Sequence, residues 1–134
     1  MDNRFWLATV AAFVTGVVLC FVFHGLILSQ DYAGLQTVYR PPVFHLPRFL
    51  VLLLAWLVLA AAMAALYRFG LEDKPWLGQG TRFGLLAAGV SAVPYNLFGY
   101  VFTNITVELA IKQLISEAII VTVMGLVIAW FYRK

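Results

Sequence analysis

Glu117 is the residue of this sequence whose type and setting could do chemistry. It lies in the run from Ser91 to Ile120, SAVPYNLFGYVFTNITVELAIKQLISEAII, which also holds Pro94, Asn96, Tyr100 and Gln113 among apolar neighbours. A carboxyl group inside an apolar helix is disfavoured in its charged form unless it is paired, so it is a candidate proton or cation site. The competing reading is a neutral, protonated Glu117 that hydrogen-bonds neighbouring helices together. One carboxylate without an evident cation, in a chain without internal repeats, puts the second reading slightly ahead.

Helical periodicity sorts the polar residues of this run. Thr106, Gln113, Glu117 and Met124 fall on one narrow face, whereas Glu108 and Lys112 lie on the opposite face as an i, i+4 pair in the favourable order. The preceding segment places Gly89, Ala92, Asn96, Gly99, Tyr100 and Thr103 on one side. At about 1.5 Å per residue, Asn96 and Glu117 come within a few ångströms of the same depth. A polar layer of Asn96, Tyr100, Gln113 and Glu117 is therefore expected as the ligand- or proton-binding candidate. Pro94 lacks an N–H and crowds the carbonyl of Val90, which predicts a hinge beside that layer.

The elements that position these residues are membrane helices. Of 134 residues, 63% are hydrophobic and only 11% charged. A mean hydropathy of +0.93 places the chain well outside the soluble class. Four runs are long enough to cross a hydrocarbon core: about 5–28, 49–69, 83–103 and 106–132. The expected fold is thus an all-α integral membrane bundle of four transmembrane helices forming a single domain. The first run has no small-x-small cleavage site and reads as a retained span. Its residues Ala8, Ala12, Gly16 and Cys20 recur every four positions, a stripe on which another helix can pack closely, or a chance product of composition.

Loop charge sets an expected orientation. Arg4, Arg68, Lys74, Arg82, Arg133 and Lys134 share one side, against Arg40, Arg48 and Lys112 on the other, which favours both termini in the cytoplasm. The net charge of +3 is accounted for by these loop residues, and no basic stretch with interleaved aromatics points to nucleic acid. The outer connection, 29–48, is the one long loop. Its Pro41, Pro42 and Pro47 forbid a continuous helix, while its first half can extend span one or lie along the interface. It offers Tyr39, Arg40 and His45 as contact residues, with His24 just before it. The segment FGLEDKPWLGQGTRFG reads as a compact polar turn punctuated by Gly70, Pro75, Gly78 and Gly80.

Several function classes find no support. Gly78, Gly80 and Gly84 have the wrong spacing for a dinucleotide fingerprint and follow no strand. A single cysteine, Cys20, cannot form an internal disulfide or a CxxC pair. His24 and His45 fall near the same face, but His45 sits in a proline-rich loop, so structural histidines are favoured over a metal or haem pair. No metal and no cofactor is expected. No Ser-His-Asp, HExxH or paired-carboxylate pattern exists, so no enzymatic activity is expected.

His24-Gly25 closing span one, Tyr39-Arg40-Pro41 in the outer loop, and KPWLGQGTRFG before span three resemble a group of small bacterial four-span membrane proteins of uncharacterised function. The resemblance implies a bacterial inner-membrane location and carries no activity or functional residues. The leading expectation is a non-enzymatic multi-pass protein: a small subunit of a membrane assembly or a self-associating bundle, with the bilayer and other membrane chains as partners. The alternatives are a proton- or cation-coupled transporter using Glu117, and a binder of lipid, quinone or another apolar ligand at the outer side near Tyr39, His45 and Tyr100.

Overall fold

The computed structural model describes residues 2–35, 37–39 and 44–133, and in it each long apolar run becomes a helix. Helix α1 (Asn3–Cys20) is started by Asp2, whose carboxylate accepts the Phe5 N–H at 3.0 Å. Its α-helical register then loosens into a π-helical segment, Phe21–Ile27, closed by the Leu28 N–H donating to the Phe23 carbonyl at 2.8 Å. A short helix α2 (Ser29–Ala33) follows. Helix α3 (Leu46–Phe69) carries Pro47 in its first turn, where a missing N–H breaks no helical bond, and stops at Gly70.

Helices α4 (Trp76–Val90) and α5 (Ala92–Phe102) form one span bent at Ser91. Pro94 has no N–H to offer the Val90 carbonyl, and the break falls at the next residue. The Ser91 hydroxyl donates to the Ala87 carbonyl at 2.7 Å there, a local bond that bends helices. Helix α6 (Val107–Tyr132) begins where the Thr106 hydroxyl oxygen accepts the Leu109 N–H at 3.2 Å. The described residues are all-helical, and four segments are long and apolar enough to cross a membrane: Asn3–Ile27, Leu46–Phe69, Trp76–Phe102 and Val107–Tyr132.

The exposed surface suits that reading. Val51, Leu54, Val58, Leu86, Val90, Val101 and Phe102 all face outwards, in bands too broad and too apolar for contact with water. Four apolar helices of this kind are consistent with a multi-pass membrane protein. Arg68 lies over the Phe5 ring, and the Tyr67 and Tyr132 rings are 5.6 Å apart. The start of α1 and the ends of α3 and α6 therefore share one end of the bundle, here called the terminal end. The other is the loop end.

Helix α6 is the middle of the structure. It packs most extensively on α4 and then on α1, and it also touches α5 and α3, while α3 leans mainly on α1. The α4–α6 seam is made of small residues. Gly80, Gly84, Ala88, Ala92 and Asn96 recur every four positions along the bent span, and all five are buried. A Cβ on Gly84 would stand 2.6 Å from the Thr122 carbonyl oxygen, and one on Gly125 would stand 2.6 Å from the Gly84 Cα. The α1 stripe is used in the same way: Ala8, Ala12 and Gly16 are buried, and Gly16 lies against the Trp56 ring. Its fourth member, Cys20, is half-buried against the core.

The polar segment before span three departs from the expectation. Only residues up to Pro75 form the turn, because the helix starts at Trp76 and takes Gly78 and Gly80 into its interior. Helical glycine is unfavourable by about 0.5–1 kcal/mol relative to alanine, but at Gly80 and Gly84 it permits backbone contact with α6. Local punctuation gave way to packing. The turn itself is pinned by Glu72, which pairs with Lys74 and with Arg82, the latter at 3.2 Å.

Two outcomes test this packing scheme. Gly84→Ala should destabilise the protein by about 1–3 kcal/mol, the usual cost of overpacking. Gly89→Ala, where the added Cβ meets nothing within 4 Å, should leave stability unchanged or raise it. Thermal unfolding of both variants in detergent would show it, and equal midpoints would contradict the seam. The turn gives a pH prediction. The Lys74 ammonium, and then Arg82, hold the Glu72 carboxyl below the usual carboxylate range. A depressed folded-state pKa means that the stabilisation is present above the unfolded value and is lost as pH falls through the folded one. Acidifying from neutral pH to below the carboxylate range should therefore narrow the stability difference between wild type and Glu72→Gln to nothing.

Candidate functional site at the loop end

Glu117 sits on the face of α6 that meets the end of the first span, and its partner is His24. Glu117 Oε1 lies 3.0 Å from His24 Nε2, with the two side chains about one-fifth exposed, at 21% and 22%. The contact is short but off-axis, since Nε2 is buried and makes no directional hydrogen bond. His24 belongs to the π-helical segment, whose wider turn changes the angular spacing of side chains relative to an α-helix. Such segments recur at functional sites because they re-aim side chains in this way.

The outer face of the pair is closed by the connection after span one. The Tyr32 hydroxyl is 2.7 Å from His24 Nδ1, and the Tyr32 and His24 rings stack at 6.1 Å. Gln113, one turn from Glu117 on α6, donates from Nε2 to the Tyr32 oxygen at 3.1 Å and to the Tyr39 oxygen at 2.9 Å. Both N–H groups of the Gln113 amide are thereby used. Beside them, Lys112 reaches Asp31 at 2.8 Å and Glu108 at 2.8 Å. The connection is thus fastened to α6 by Asp31, Tyr32 and Tyr39.

Proton positions follow from this count. Tyr32 lies outside the spans, and burial pushes its hydroxyl pKa above the ordinary value, so the group keeps its proton at neutral pH. Its oxygen accepts from Gln113, which leaves its own O–H to donate to His24 Nδ1. A neutral His24 then carries its proton on Nε2, the atom facing Glu117. A second proton on His24 must go to Nδ1, and Tyr32 would then have to accept from both sides. Proton uptake by His24 therefore acts directly on a hydrogen bond that holds the connection after the first span.

The sequence candidates are dispersed by the fold. Glu117 and Gln113 are brought together with His24 and Tyr39, two residues read from sequence only as loop-end contacts. Asn96 is buried at the α4–α6 seam, and its amide donates to the Ala92 carbonyl at 2.8 Å. Glu117 is turned to His24 in place of the Asn96 contact expected from depth. Tyr100 is 42% exposed on the apolar outer face, away from the polar layer in which depth placed it. His45 is exposed at the entry to α3, and Pro94 stands beside the bend at Ser91. Arg40 lies outside the described residues. Tyr32 and Asp31 were missed as functional residues. Their signal was available: an Asp and a Tyr placed about two turns beyond His24, in a loop long enough to fold back.

Comparison with models of known protein families, with curated proteins and with solved structures found no match.

Gln113→Leu should free both tyrosines and leave their oxygens without a donor. At about 0.5–1.5 kcal/mol per hydrogen bond, the connection should loosen by roughly 1–3 kcal/mol. Amide hydrogen exchange of residues 29–39 in detergent or bilayers should speed up accordingly. Tyr100→Phe should leave it unchanged, and the same exchange rates in Gln113→Leu as in wild type would show that the amide does not hold the loop.

Proposed function

We propose that this chain is a non-enzymatic multi-pass membrane protein whose working part is a proton-binding pair, His24 and Glu117, between its first and last spans. The single observation that carries this reading is the 3.0 Å contact between two titratable side chains from different helices. Each partner changes charge on gaining or losing one proton, and each change alters the attraction between α1 and α6. The charge attraction between them exists only while His24 carries two ring protons and Glu117 carries none.

The reading extends to a small proton-coupled carrier. It is favoured by the π-helical segment holding His24 and by the bend at Ser91–Pro94, two places where spans depart from regular helix. Broken helices at membrane depth are the parts that move or bind in transporters. A structural reading, in which the pair only staples α1 to α6, is favoured by the Asp31–Lys112 and Tyr–Gln113 bonds that fasten the same connection. The setting we propose is a bacterial inner membrane with both termini cytoplasmic, supported by the loop-charge bias and the resemblance described above. Membership of a larger membrane assembly remains part of the proposal.

Reconstitution into liposomes loaded with a pH-sensitive dye separates the two roles. Carrier function predicts a proton flux under an imposed potential that Glu117→Gln and His24→Phe each reduce at least tenfold, while the variants keep their helical content. The amide of Gln is nearly isosteric with the carboxyl and still hydrogen-bonds, so a purely structural pair predicts little change from Glu117→Gln. Flux equal to that of empty vesicles in the wild type would sink the carrier reading.

A further inference from the structure

The His24–Glu117 pair is buried, so a proton has to reach it by some route, and the two ends of the bundle offer different surroundings for one. On the loop side stand Tyr32, Tyr39 and Gln113, joined by hydrogen bonds. Resting on the reading of His24 and Glu117 as a proton-binding pair, we infer that Tyr32 is its proton relay. Protons from water at the loop end reach Glu117 through the Tyr32 hydroxyl and the His24 ring.

The contacts form an ordered chain. Gln113 donates to the Tyr32 oxygen at 3.1 Å, which leaves the Tyr32 O–H to point at His24 Nδ1, 2.7 Å away. Across the ring, Nε2 lies 3.0 Å from Glu117 Oε1. In one uptake step a proton from water binds the Tyr32 oxygen, the original Tyr32 proton passes to Nδ1, and the Nε2 proton passes to Oε1. Water loses one proton and Glu117 gains one. Tyr32 and His24 keep their proton counts, the ring proton having moved from Nε2 to Nδ1. The Nε2 contact is off-axis at rest, so the last transfer waits for ring and carboxylate to align, as hydrogen bonds that move protons often do.

Other routes to Glu117 are poorer. Its side chain is one-fifth exposed, but it lies about 15 Å along α6 from Val107, where the exposed residues of that helix are Ile111, Ile115 and Ile119. That opening faces lipid. Towards the terminal end the next turns of α6 bring Ile120, Val121 and Met124, all buried, and Gly16 of α1 lies against Trp56 and Met124. His24 Nε2 is itself buried. Among the described residues, the titratable and charged groups around the pair are Tyr32, Tyr39, Cys20, and Lys112 with its partners Asp31 and Glu108. Cys20 lies four residues before His24, on its terminal side, and Lys112 is held by two carboxylates. Tyr32 belongs to the connection outside the spans, is partly exposed, and touches the ring directly.

The test reads proton arrival at Glu117 and needs no transport assay. The full chain in lipid nanodiscs receives a light-triggered proton release, and time-resolved infrared spectroscopy follows the C=O stretch of a protonated carboxyl, assigned to Glu117 by its loss in Glu117→Gln. Tyr32→Phe should slow the rise of that band roughly a hundredfold, the low end of what a positioned acid–base group contributes, and leave its final amplitude unchanged. A Tyr32 that only covers the pair predicts the opposite sign, because losing its hydrogen bonds loosens the connection and admits water faster. Asp31–Lys112 and Gln113–Tyr39 still fasten the connection in this variant. Nitrogen NMR of His24 in the wild type, which should show Nδ1 gaining a proton on uptake, keeps the proposal falsifiable if Tyr32→Phe does not fold. Three results overturn the relay alone: a band rising in Tyr32→Phe as fast as in the wild type or faster, an Nδ1 left bare after uptake, or a proton that stays on His24 with no Glu117 band. A wild type in which neither Glu117 nor His24 takes up a proton overturns the proton-binding pair as well.

Discussion

A carboxyl group inside an apolar helix has to be neutral or paired, and the loop end of this protein is arranged around that requirement at Glu117. The cost of leaving such a group charged and alone is several kcal/mol, more than any single hydrogen bond nearby returns. The partner is His24, carried on the π-helical end of the first span. Its other ring nitrogen is met by Tyr32, which is itself held by Gln113, one turn from Glu117. The path from carboxylate to loop and back to α6 is closed. Each member supplies what its neighbour needs, so a change in one proton count reaches the connection after the first span in two contacts.

The terminal end is built on a different principle. There α4 and α6 meet through Gly80, Gly84 and Gly125 with Ala129, at distances that leave no room for a Cβ. In lipid, apolar surface gains nothing from mere burial, so close van der Waals contact is what holds such helices together. By contrast, the first two turns of α3, from Leu46 to Leu52, are exposed at the loop end, and so is most of α5. Helix α6 serves both ends, with small residues in its last turns and Gln113 and Glu117 in its first. Close glycine packing holds one end, and the cluster of His24, Glu117, Tyr32 and Gln113 ties the helices together at the other.

Much of this was legible in the sequence, and the parts that were not share a cause. Hydropathy and length give the four spans, Pro94 locates the bend, and the i, i+4 spacing pairs Glu108 with Lys112, found at 2.8 Å. These are local properties. The His24–Glu117 contact is not, because it depends on a π-helical turn that no residue type announces and on which helix α1 packs against. Depth counting brought Asn96 and Glu117 to one level, but depth does not fix azimuth, and the seam turned Asn96 towards its own backbone. The glycines after Pro75 were misleading for a related reason. Gly78 and Gly80 carry the composition of a turn, yet Gly80 and Gly84 answer a neighbour far along the chain. Tyr32 and Tyr39 are ordinary interfacial tyrosines until the loop folds back over Gln113.

The most direct measurement of the central claim is solid-state NMR of the histidine-labelled protein in lipid bilayers, observing the His24 ring nitrogens and their coupling to the Glu117 side-chain carbon. The account predicts a neutral ring at alkaline pH with its proton on Nε2, Nδ1 accepting a hydrogen bond, and a dipolar coupling from Nε2 to the Glu117 carboxyl carbon. It also predicts that Tyr32→Phe changes the Nδ1 signal. A ring protonated on Nδ1, with no coupling between Nε2 and Glu117, would contradict it.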